Sequence, residues 1–178
     1  YADLKIAVNF SAKQFSQGDL VHTLQSILQE TGLNPKNLKM EITEYTVMND
    51  TKKTVEMMRQ LTAMGVEISI DDFGTGFSSL SYLKYFPVHT LKIDKSFVDS
   101  LLEKEEDAVF IRTIIGIAKS LNLELIAEGV ETKEQLEFLR NEGCFMIQGY
   151  YFSKPLPPTE VLDFLQKKIN TSFLKQLA

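Results

Sequence analysis

The strongest constraint on this chain is an alternation that runs its whole length: a short β-rich run, then an amphipathic helical pattern, then the next run. The candidate strands are residues 4–8 (LKIAV), 38–42 (LKMEI), 66–70 (VEISI), 90–93 (TLKI), 124–127 (ELIA) and 145–147 (FMI). Most read as apolar on both faces, the pattern of a parallel sheet covered by helices. The candidate helices are residues 19–31, 51–64, 105–121, 133–142 and 159–168, and their ends carry recognisable signals. Gly32, Gly65 and Gly143 stand just past three of them, Asp50 reads as an N-cap, and Thr132 with Gln135 forms a capping-box pattern. The acidic run 103–107 (EKEED) suits a solvated helix start, where the dipole favours negative charge. About six β/α units in series predict an α/β fold with a parallel sheet. No Gly/Ser-rich linker or composition shift divides it, so residues 1–169 read as one domain and 170–178 as a loosely attached tail.

Each predicted strand runs into polar residues near its C-terminal end: Asn9; Glu41, then Glu44; Asp71 and Asp72; Lys92 and Asp94; Glu128, then Glu131; Gln148. Their leading members are 20 to 36 residues apart, the length of a unit in a (β/α)8 barrel. In such a barrel the C-terminal strand ends meet on one face, where barrel enzymes place their chemistry. That convergence would gather Asn9, Glu41, Asp71, Asp72 and Glu128 around one pocket. Acids within buried strands are costly unless paired or metal-bound. Adjacent acids on a strand point to opposite faces, so Asp71 and Asp72 can share a site only if the strand ends or bulges there. Gly74 and Gly76 give the following loop freedom, and Ser78 and Ser79 read as a helix start.

Four carboxylates and an amide oxygen suit hard divalent cations such as Mg²⁺ or Mn²⁺. A zinc cage is excluded by a single cysteine, Cys144, which reads as a small buried residue, and by two distant histidines, His22 and His89. The net charge of −5 argues against DNA or RNA as a partner, though metal ions would let a small anionic ligand bind. No apolar run reaches the ~18 residues of a membrane span, and a cytoplasmic setting is expected. Lys92 among the acids could orient a nucleophilic water, stabilise an oxyanion or act as a counter-ion. Two reactions fit: hydrolysis of a phosphodiester between two metals, or stabilisation of an enolate on Mg²⁺ with a lysine base. The adjacent Asp71 and Asp72 favour two metals, and so hydrolysis.

Six motifs, in order, carry a family resemblance: NFSAKQF (9–15), EITE (41–44), DDFGTGFSSL (71–80), LKIDKSFV (91–98), AEGVET (127–132) and QGYYFSKPLP (148–157). Together they closely resemble the EAL-domain family of bacteria, which hydrolyses cyclic di-GMP to linear pGpG on a TIM-like (β/α)8 barrel. The resemblance runs from Asn9 to about Lys168. It implies two divalent cations, Mg²⁺ or Mn²⁺, with Asn9 and Glu41 on the first, Asp71 bridging, and Asp72 and Glu128 on the second. It implies that Lys92 holds the attacking water, that Glu128 is a candidate general base, and that Glu44 steadies the DDFGTG loop. Asp94, Glu131 and Gln148 are implied in support around metals, water and substrate.

The family is named for a Glu-Ala-Leu motif on an earlier strand, whose glutamate also binds the first metal. This chain contains no such tripeptide, and it lacks the arginine that follows it and meets substrate phosphate. The resemblance therefore implies a barrel incomplete at its N-terminus, short by about two of eight strands, where a full barrel takes about 250 residues. From this follow three expectations: reduced or lost activity for these 178 residues, a homodimer or other self-association through exposed sheet edges, and an upstream sensor or diguanylate-cyclase domain in a longer parent. The alternative is a non-catalytic module that binds cyclic di-GMP or another protein.

Overall fold

In the computed structural model, residues 4–16, 19–48, 51–76 and 83–170 are described. Six strands form one wholly parallel sheet in sequence order: β1 Ile6–Phe10, β2 Leu38–Thr43, β3 Glu67–Phe73, β4 Thr90–Ile93, β5 Glu124–Ala127 and β6 Met146–Ile147. Helices cross between them: α1 Ala12–Ser16, α2 Leu20–Thr31, α3 Glu44–Met48, α4 Thr51–Ala63, α5 Lys95–Ser100, α6 Glu105–Ser120 and α7 Lys133–Glu142. A last helix, α8 Pro158–Asn170, follows β6. This is a partial (β/α)8 barrel, with β1 and β6 as its edges among the described residues.

The strands are not apolar on both faces, contrary to the sequence reading. They alternate. Met40, Ile42, Ile68, Ile70, Leu91 and Ile93 point outward and are at most 2 % exposed. They form one core with Met58 and Leu61 of α4, Ile111 and Ile114 of α6, and Leu139 of α7. Full burial of each such side chain contributes about 1.5–3 kcal/mol. The intervening positions face the barrel interior: Lys39, Glu41 and Thr43; Glu67, Ser69 and Asp71; Thr90 and Lys92; Glu124 and Glu128. Short runs of four or five residues hid this alternation, because the aliphatic stems of lysine and glutamate sit comfortably among apolar neighbours.

Several boundaries also move. The first strand is Ile6–Phe10, so Asn9 lies within it, in register with Glu41. Glu41 lies within β2, as the sequence reading has it. The last strand starts at Met146, leaving Phe145 exposed. The short helices α1, α3 and α5 follow strands directly and were not foreseen, being too brief to show a helical period. The caps agree with the sequence. The Gln135 N–H donates to Thr132 Oγ1, Gln135 Oε1 accepts from the Thr132 N–H, and Gly32 and Gly143 end their helices in the left-handed conformation. Cys144 is buried, and burial pushes its thiol up to about 11. The Asp50 cap, the Ser78–Ser79 helix start and residues 171–178 of the expected tail lie outside the described residues; Asn170 is the last residue of α8.

Candidate metal and catalytic centre

The site is built on the interior face where β2, β3, β4 and β5 approach their C-terminal ends. At its centre is Lys92 of β4, buried to 2 % exposure. Its ammonium lies 2.8 Å from Glu41 Oε1 on β2, 3.1 Å from Asp71 Oδ1 on β3 and 2.7 Å from Glu128 Oε1 just past β5. Burial works against this charge, but hydrogen bonds donated to Glu128 and Glu41 and the field of Asp71 outweigh it and hold Lys92 above the usual lysine range.

How two adjacent acids reach one site is visible in β3. Its register against β4 shifts between Ile70 and Phe73, which face Leu91 and Ile93 respectively, so β3 carries one extra residue. Asp72 absorbs it with φ 52°, in the left-handed region that aspartate tolerates better than most residues. As a result Asp71, Asp72 and Glu128 each present a carboxylate oxygen within 4.8 Å of the others. Burial, then the charges of Asp71 and Asp94, raise the pKa of Asp72. Burial also raises Glu128, against the pull of Lys92.

Beyond the bulge the loop turns on Gly74, φ 101°, where a Cβ would fall 2.5 Å from the Phe110 ring. Glu44, the buried first residue of α3, accepts the Gly74 N–H at 3.0 Å, and a Cβ at Gly76 would lie 2.7 Å from its Oε1. Asp94 caps α5 by accepting from the Ser96 N–H and also meets Asp72. Two expected residues stand apart from the carboxylate cluster. Glu131 is exposed and paired with Lys95. Gln148 is exposed, and its backbone N–H donates to Ala127 O. Both line a cleft of about 410 Å³ that opens beside Glu128, together with Lys95, Tyr150, Ser153 and Lys154. Sequence reasoning passed over Lys95 and Lys154, although each stands inside a quoted motif. Asn9 is exposed on β1, across from Glu41.

The donor set is all oxygen, with three carboxylates on one ammonium and Asp72 beside Asp71 and Glu128. It fits hard divalent cations, which would also relieve the crowding that raises Asp72 and Glu128.

A partial, parallel (β/α) barrel with a carboxylate-and-lysine cluster at the C-terminal ends of its strands defines a class: barrel proteins with a metal-type centre. The EAL domain family model matches residues 1–155, and the chain belongs to that family. It is 45 % identical over 162 residues to the bifunctional diguanylate cyclase/cyclic di-GMP phosphodiesterase MucR of Pseudomonas aeruginosa, covering 91 % of this chain and 24 % of that protein. A solved MucR phosphodiesterase in complex with cyclic di-GMP superposes with a TM-score of 0.88 at 45 % identity, over 90 % of this chain and 65 % of that one. A manganese/cyclic di-GMP complex of Klebsiella pneumoniae BlrP1 matches at 28 % identity and a TM-score of 0.79, over 86 % and 39 % of the two chains. The chain thus spans about a quarter of MucR and about two thirds of its solved phosphodiesterase.

Proposed function

We propose that this chain carries the metal-binding and water-activating part of a cyclic di-GMP phosphodiesterase, which opens the cyclic dinucleotide to linear pGpG. The observation that carries the reading is the cage around Lys92, whose three carboxylates come from β2, β3 and the residue just past β5. Asn9 and Glu41 would hold one cation, Asp72 and Glu128 a second, and Asp71 would bridge. Bound there, Mg²⁺ or Mn²⁺ would lower the pKa of a water and offset charge on the phosphate oxygens.

The protein's own groups do the rest. An ammonium has three N–H donors, and three carboxylates take them in this structure. A carboxylate engaged in holding a cation would leave one donor of Lys92 to orient the attacking water. Glu128, its pKa raised by burial, is placed to accept that water's proton. Glu44 holds the loop after Asp72 through the Gly74 N–H, and so keeps both acids in place. The cleft lined by Gln148 and Glu131 would receive the remainder of the nucleotide. The proposed setting is the cytoplasm, as part of a longer chain.

Incubation with cyclic di-GMP and Mg²⁺ or Mn²⁺ should give pGpG, and Glu128→Ala should remove the product. No turnover in a full-length parent, with Glu128→Ala changing nothing, would overturn the reading. A second reading is a module that binds the dinucleotide without cleaving it, since the three donors of Lys92 are all taken by carboxylates. Calorimetry separates the two: micromolar binding with metal present and no product supports the module.

A further inference from the structure

The barrel interior holds a second lysine cage. Lys39, 5 % exposed on β2, donates to Glu124 Oε2 at 3.0 Å and to Thr90 Oγ1 at 2.8 Å, and lies 3.6 Å from Glu67 Oε2. Thr90 Oγ1 in turn donates to the same Glu124 oxygen at 3.1 Å. None of these four residues belongs to the centre described above. Their place relative to it is what matters. Two strands separate β2 from β5 in the sheet, so a direct Lys39–Glu124 contact crosses the interior and is possible only because the sheet is strongly curved. Lys92 makes the same crossing higher up, bringing together Glu41, two residues beyond Lys39, and Glu128, four residues beyond Glu124.

We propose that Lys39 and Glu124 are positioning residues for the centre: their tie sets the β2-to-β5 separation that lets Glu41 and Glu128 converge. The inference rests on the metal-centre reading above. Without the Glu124 charge Lys39 keeps only Thr90 on β4 and Glu67 on β3, neither of which lies on β5, so the sheet would relax outward and Glu41 and Glu128 would separate. Chemistry at one end of the barrel would then depend on a charge pair at the other, with no ligand touching that pair.

The test is Mn²⁺ affinity, read by electron paramagnetic resonance on the chain as it stands. Glu124→Gln, nearly isosteric and partly exposed, and Lys39→Met should each weaken Mn²⁺ binding at least tenfold. Lys39→Arg, which can keep the tie, should restore it to within about threefold of wild type. Leu139→Ala, in the helical layer, serves as a stability control: it should lower the melting temperature at least as far and leave Mn²⁺ affinity alone. Wild-type affinity in both Glu124→Gln and Lys39→Met would overturn the proposal while leaving the centre intact, as would an equal loss in Leu139→Ala. A wild-type chain that binds no Mn²⁺ would overturn the metal-centre reading itself, and the proposal with it.

Discussion

At the scale of single residues, the centre concentrates charge where burial penalises it. Lys92 offsets much of that penalty, since its ammonium meets three carboxylates at 2.7 to 3.1 Å. Lys92→Met should therefore destabilise the metal-free chain by about 3 kcal/mol, the scale of a broken buried ion pair. Added Mn²⁺ should recover part of the loss, and thermal unfolding with chelator or with metal measures both effects. Asp72 behaves in the opposite sense. Its folded pKa is raised, so its ionised form weakens the fold as pH climbs through the unfolded and then the folded value. Asn also accepts a left-handed φ, so Asp72→Asn should unfold no earlier than wild type in urea at pH 7. A lower midpoint would contradict the account of the bulge.

Elements tell more about what can be read from residues alone. The order of strands and of the longer helices was legible, because glycine stops, the Thr132–Gln135 box and repeated apolar spacing are local signals. The capping box makes a local prediction. Thr132→Ala should cost α7 about 1 kcal/mol, seen as a lower urea midpoint with unchanged slope. The two-faced nature of the strands was not legible, because burial of Lys39 and Lys92 depends on partners as many as 85 residues away. The bulge in β3 was foreseen only as one of two conditions for Asp71 and Asp72 to act together. Which one holds depends on pairing with β4, a strand about twenty residues on. Residues such as Glu131 were assigned by motif to the site, whereas its carboxylate is engaged by Lys95, on a helix too short to show a period. The interior ties also have a pH signature. Burial works against the charge of Glu124, but Lys39 and Thr90 outweigh it and hold its pKa below the usual carboxylate value. That stabilisation is complete above the unfolded value of about 4.3 and is lost as pH falls through the folded value. Glu124→Gln should accordingly flatten the acid limb of a stability–pH curve measured by denaturant titration below about pH 4.5.

For the molecule as a whole, the two edges that the sheet has among the described residues matter most. β1 carries Ile6 and Val8 on its outer face, 56 % and 39 % exposed, and Phe145 and Met146 lie bare at the other edge. Unpaired, apolar strand edges recruit other chains. Sedimentation velocity over rising concentration should show self-association of this chain, and Ile6→Lys should reduce it; a concentration-independent monomer would count against the prediction. The strands also divide two kinds of contact between their faces. In β2, β3 and β4 the outer faces lock into the helices, where a change of side-chain size disturbs packing. The inner faces carry most of the strands' charged groups, which pair with one another across the interior. A substitution inside the barrel can therefore alter the charge of the centre while the helical layer keeps its contacts, so the shape alone does not reveal which chains of this form would cut.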